Sequence, residues 1–206
     1  MSNAGGVVTR RSFLAIGGAI LAANNGPFAS RLAAADNLGA DGMSQIDPWT
    51  SENPFLRGAF TPVFDERDDA DLAVQGDIPR TLRGVFMRNG PNPQFPPDNH
   101  YAYPFDGTGM IHALYLENGQ ARYRNRWVLT REVLAERAAR HRIYNSTFSP
   151  PPQADLANTN IVYHAGRYLA LYEAGIPYEL DRDIKTLGAF NYDGNLPSVM
   201  SAHPKL

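Results

Sequence analysis

The chain of 206 residues contains no cysteine. Disulfides, zinc–thiolate sites and iron–sulfur clusters are therefore excluded, and a metal would have to be held by His, Asp or Glu. Long apolar runs are missing too. The run from Ala15 to Ala23 has nine residues, whereas a membrane-spanning helix needs about 20. Nucleotide-binding and hydrolase signatures are also absent. Gly107-Thr108-Gly109 is not followed by the Gly-Lys-Ser/Thr of a phosphate loop, and no Gly-x-Ser-x-Gly elbow occurs. Asp181, Asp183 and Asp193 are separated by turn residues and lack calcium-loop spacing.

Acidic residues are absent from residues 1–35. Within that stretch Thr9-Arg10-Arg11-Ser12-Phe13-Leu14 precedes the short apolar run, and Ala33-Ala34-Ala35 offers small residues for cleavage before Asp36. This pattern predicts a twin-arginine signal segment over 1–35 and export to the periplasm. Removing it takes away Arg10, Arg11 and Arg31 and leaves 16 basic against 21 acidic residues, a net charge of −5. Such a balance argues against nucleic acid as a partner. It leaves room for a peripheral membrane contact and does not fix the oligomeric state.

Residues 36–62 read as an extended arm, and Asp65 to Asp71 as a solvated acidic stretch. Gly84 to Arg88 is strand-like, and the prolines between Pro91 and Pro97 predict a loop. Ile111 to Glu117 and Ala121 to Leu129 flank Asn118-Gly119, the strongest short hairpin signal. The second strand alternates, with Tyr123, Asn125, Trp127 and Leu129 on one face. Arg122, Arg124, Arg126 and Val128 lie on the other, and the arginines read as a solvated row. Asn160 to His164 and Arg167 to Glu173 form a second hairpin around Ala165-Gly166, and a third pair is expected around Asp193-Gly194. One helix is predicted from Arg131 to Arg140, capped by Thr130 with Glu132 in its first turn. The pattern is all-β, from hairpins, and suits a sandwich, a barrel or a propeller.

Several segments resemble, in order, the carotenoid cleavage oxygenases. They are Arg88-Asn89-Gly90-Pro91-Asn92-Pro93, Phe105-Asp106-Gly107-Thr108-Gly109-Met110-Ile111-His112, Tyr123 to Thr130, Ala157-Asn158-Thr159-Asn160, the segment around Glu173, and Ala202-His203-Pro204-Lys205. The resemblance implies a seven-bladed β-propeller with iron on its axis. Family members are more than twice as long. Residues 63–206 are therefore expected to be the N-terminal part of a propeller, about two to three blades with a short helix. An open set of blades exposes unpaired strand edges, so the chain by itself is expected to be unstable and inactive.

The resemblance further implies that His203 is one of four imidazoles holding Fe(II), the other three lying beyond Leu206. Pro204 after it disfavours a helical backbone at His203. Glu173 is implied to be a carboxylate that accepts the second N–H of a ligand histidine and so orients it. Packing is the expected role of His112. His164 is expected to be exposed, and His100 and His141 have no partner in view. The implied activity is a non-haem iron dioxygenase that cleaves a conjugated double bond of a carotenoid or apocarotenoid, with an apolar polyene and dioxygen as partners. A stilbene-cleaving relative is the alternative. Such relatives use a Tyr and a Lys on the substrate phenol, whereas Lys185 and Lys205 are the only lysines here. An alternative of another class is a truncated propeller that binds without catalysis.

Overall fold

The computed structural model describes residues 52–95, 105–144, 154–196 and 198–205. The expected signal segment, the first part of the arm and His100 lie outside them. Among the described residues eight strands form two antiparallel sheets of four. The first holds β1 (Asp68–Asp69), β2 (Gly84–Asn92), β3 (Thr108–Glu117) and β4 (Gln120–Trp127), in the order β1-β4-β3-β2. The second holds β5 (Asn160–His164), β6 (Arg167–Leu171), β7 (Tyr178–Leu180) and β8 (Thr186–Ala189), in sequence order.

Local chemistry explains the two tightest turns. Asn118 and Gly119 have φ of 53° and 82°, and Ala165 and Gly166 have φ of 48° and 80°. Paired positive φ values match the right-handed twist of the flanking strands, and Asn and Gly reach them at least strain. The helix α1 (Arg131–Ala139) also forms where expected. The Thr130 hydroxyl accepts from the Val133 amide at 3.2 Å, and Arg140 closes the helix in a left-handed conformation.

Four expectations are corrected. The described part of the arm is not extended throughout: it coils into 3-10 turns at Pro54–Leu56 and Gly58–Phe60. The Pro91–Pro97 loop starts later than expected, since β2 continues through Pro91 to Asn92. Proline is tolerated there because β2 is an edge strand. Among the described residues no strands flank Asp193-Gly194. The third hairpin joins β7 to β8, and Asp181 Oδ1 shapes it by accepting from the amides of Asp183 and Lys185 at 2.8 and 2.9 Å. Asn191 draws Asp193-Gly194 into a turn of its own, accepting from the Gly194 amide at 3.1 Å.

The fourth correction concerns charge. The acidic stretch is largely exposed, as expected, whereas the arginine row is half-buried and is not a solvated face. Asp68 and Asp69 pair with β4 as a strand, opposite Arg124 and Tyr123. The Arg124 side chain is only 16% exposed and bridges Asp68 to Asp183 in the β7–β8 turn. Arg122 stacks over the Tyr115 ring, 3.9 Å from its centroid. The Asp68 carboxyl is held below its usual range, first by its hydrogen bond to Arg124.

The sheets share one core. Ile111, Ala113 and Val128 from the first pack with Ala157, Ala170, Tyr178, Leu180 and Ile184 from the second. Ile111 and Ile184 are fully buried, each worth about 1.5–3 kcal/mol in apolar transfer. Strand β2 lies against β5. There the Asn89 amide donates to the carbonyls of Ala157 and Asn160 at 2.7 and 2.9 Å. The glycines of Phe105-Asp106-Gly107-Thr108-Gly109 permit this closeness. A Cβ on Gly107 would sit 2.7 Å from the Asn92 carbonyl carbon, and one on Gly109 would sit 2.8 Å from that of Ala157.

Candidate functional site

Residues 172–175 leave the end of β6, and residues 198–205 return to the same end of the second sheet. Three polar contacts fix this meeting. The Gly175 amide donates to the Tyr172 carbonyl at 3.3 Å and tightens the turn. The Gly175 carbonyl accepts from the Met200 amide at 3.1 Å. The Asn160 side chain, at the start of β5, donates to the Ala202 carbonyl at 2.9 Å. Ala202 is fully buried against Leu169 and Leu171 of β6. His203 thus follows directly on an anchored residue.

The anchored segments bring His203 Nδ1 onto Glu173 Oε1, although the residues are 30 positions apart. Glu173 is held below its usual carboxylate range, first by the His203 contact and then by the Ala202 amide. The His203 amide donates to the Ser201 hydroxyl at 3.1 Å. Both side chains are open, His203 at 66% and Glu173 at 50% exposure. A carboxylate on Nδ1 selects the tautomer whose Nε2 lone pair points outward, the arrangement of metal-bound histidines.

The donor chemistry suits ferrous iron: an imidazole oriented by a carboxylate. It is one donor. Among the described residues no group of three or more His, Cys, Asp or Glu could hold a metal ion. The other described histidines lie elsewhere. His112 is largely buried, with Nδ1 2.6 Å from the Tyr123 hydroxyl. Burial, and next the Arg88 charge, push its imidazole down to about 4, so it is neutral at pH 7. This matches the expected packing role. His164 is exposed, and His141 Nδ1 contacts the Ala139 carbonyl at 3.0 Å. A cleft of about 370 Å³ lined by Phe64, Glu66, Gln94, Phe95, Trp127, Arg137 and Arg140 shares no residue with this site.

Several positioning groups were not picked out from the residues. Asn89 and Asn160 both sit in quoted segments, yet an asparagine in a loop-like context gives no sign of which backbone it will satisfy. Asn158 donates to the carbonyls of Phe105 and Gly107 at 2.9 and 2.7 Å, tying two of those segments together. Asp155 lies in a proline-rich region and carries no local motif. Its role depends on Gly175, twenty residues away.

The retinal pigment epithelial membrane protein family model matches residues 60–206. The chain is 42% identical over 169 residues to a carotenoid cleavage oxygenase of Mycobacterium tuberculosis, covering 79% of this chain and 33% of that relative. It is 39% identical over 163 residues to an isoeugenol monooxygenase of Pseudomonas nitroreducens, covering 74% and 34%. The crystal structure of Pseudomonas brassicacearum lignostilbene dioxygenase superposes with a TM-score of 0.68 at 31% identity, over 75% of this chain and 34% of that one. The chain spans about a third of the length of these relatives. In that company the two sheets are two blades of a β-propeller, the lower end of the expected range.

Proposed function

The chain belongs to the retinal pigment epithelial membrane protein family, and on that premise we propose that the intact protein is an iron-dependent dioxygenase acting on a conjugated carbon–carbon double bond. The substrate class is a carotenoid or apocarotenoid. The alkene bond breaks, two carbonyl bonds form, and both oxygen atoms come from one dioxygen molecule, so no further co-reactant is needed. The observation that carries the reading is the contact of His203 Nδ1 with Glu173, which leaves Nε2 as the ring nitrogen to hold a metal. His203 would hold iron, and the remaining donors would come from outside the described residues. Bound ferrous iron supplies the binding and activation of dioxygen. This chain's part is to orient one ligand: Glu173 holds the proton on Nδ1, and Asn160 and Gly175 fix the backbone that presents the ring.

His203→Ala in the intact protein is expected to lower iron per chain at least severalfold and to abolish cleavage while leaving the fold intact. Unchanged iron content would overturn the ligand assignment. Absence of iron from the wild-type protein would favour the non-catalytic module.

A second reading, cleavage of a phenolic alkene, is supported by the isoeugenol monooxygenase and lignostilbene dioxygenase similarities. Against it, the two lysines lie in the β7–β8 turn and beside His203, and the N-terminus of α1 reads Thr130-Arg131-Glu132. Side-by-side assays with an apocarotenal, a hydroxystilbene and isoeugenol separate the readings by which one yields carbonyl products. Export through the twin-arginine route is part of the proposal, since that route carries folded proteins with their cofactors loaded. Replacing Arg10 and Arg11 by lysine in a reporter fusion is expected to abolish export, and continued export would remove the claim.

A further inference from the structure

We propose that Asp155 is a positioning residue whose carboxyl clasps the Gly175 turn and thereby sets the Glu173–His203 contact. Its functional weight rests on His203 being an iron ligand. A Cβ on Gly175 would lie 2.5 Å from Asp155 Cγ, so the carboxyl lies directly against the turn. Asp155 Oδ1 accepts from the Ala157 amide at 3.2 Å, and the Ile176 amide also favours its charged form. One carboxyl therefore joins the Ala157–Asn160 segment to the turn after Glu173. That same turn receives the Met200 amide, which starts the segment leading to His203. Movement of Gly175 would displace Glu173 from one side of the contact and His203 from the other.

Other groups facing Asp155 do not supply this link. Glu132 and Arg131 approach from α1, and Tyr178 from β7. Arg131 is engaged by Glu132 Oε1 at 2.8 Å. Glu132 Oε2 is buried with no hydrogen-bond partner among the described residues. Neither amide of the clasp depends on these groups.

The test uses the intact protein with Asp155→Ala, Gly175→Ala and the double variant. Two quantities are measured: iron per chain, and amide hydrogen exchange at Met200 with β3 and β4 as internal reference. Each single variant is expected to speed Met200 exchange at least tenfold and to lower iron at least threefold, with β3 and β4 unchanged. Because both act through one contact, the double variant is expected to lose no more than the worse single. Additive losses, or unchanged Met200 exchange in a folded single variant, would overturn the clasp. If Asp155→Ala does not fold, Gly175→Ala decides alone, since it keeps the carboxyl and displaces only the turn. Iron-free wild type would sink the ligand reading, while Met200 exchange would still decide the clasp.

Discussion

Replacing Asp155 by asparagine should make the protein more stable at neutral pH and leave it unchanged in acid. Burial pushes the Asp155 carboxyl up from 3.8 to about 6; the Ala157 amide opposes this and the facing Glu132 charge adds to it. A raised folded value means that the neutral acid is preferred in the fold. The group therefore contributes its full stability below about pH 4 and loses it as pH rises through about 6. A tenfold change in proton affinity is worth 1.36 kcal/mol, so the ionised carboxyl costs about 2–3 kcal/mol at pH 7.5. Asparagine has the same shape, no charge, and can still accept from Ala157. The gain is expected to be about 2–3 kcal/mol at pH 7.5, or about 4–10 °C in thermal midpoint for a domain of this size, and near zero at pH 4. Thermal melts of both proteins from pH 4 to 8 check this. His112 titrates with the opposite slope in part of the same window, but it is common to both proteins and cancels in their difference. Equal midpoints at pH 7.5, or a gain of the same size at pH 4, would refute the reasoning. A gain would also show that the native charge is retained against stability, as expected of a group kept for positioning.

Two other changes test the packing around the site. Gly109→Ala places a methyl group 2.8 Å from the Ala157 carbonyl carbon. Backbone on both sides leaves little room to relax, so a loss of about 2–3 kcal/mol is expected in urea denaturation; a loss below 0.5 kcal/mol would mean that the strands are not so close. His112→Gln keeps a partner for the Tyr123 hydroxyl and removes a group held down at about 4. A base with a lowered folded value contributes stability above its ordinary 6.5 and loses it as pH falls. The wild type is expected to lose about 2 kcal/mol more than the variant between pH 7 and pH 5, read from midpoints in parallel melts.

Where a fold signal was local, it was legible. Thr130 caps α1 because its hydroxyl reaches an amide three residues on, and Asn118-Gly119 turns because its own φ values suit the twist. Where the partner was distant, the residues alone misled. Arg122, Arg124 and Arg126 looked solvated because Asp68 and Asp183 are 56 and 59 residues from Arg124 in sequence. Pro91 looked like a loop residue because nothing local says that β2 is an edge strand. The site followed the same division. Glu173 and His203 are 30 residues apart, and only the ordered resemblance to a known family joined them. That resemblance named the pair but not what holds it. The holding groups are Asn89, Asp155, Asn160 and Gly175, whose work is to satisfy or to approach backbone. Backbone has no sequence signature, so such residues become visible only when the chain is folded. The proposed ligand and its carboxylate can thus be named from a motif, while their placement resides in residues whose backbone contacts the motif does not reveal. Substitutions that leave His203 and Glu173 untouched are then the ones that separate a ligand that is merely present from one that is held in place.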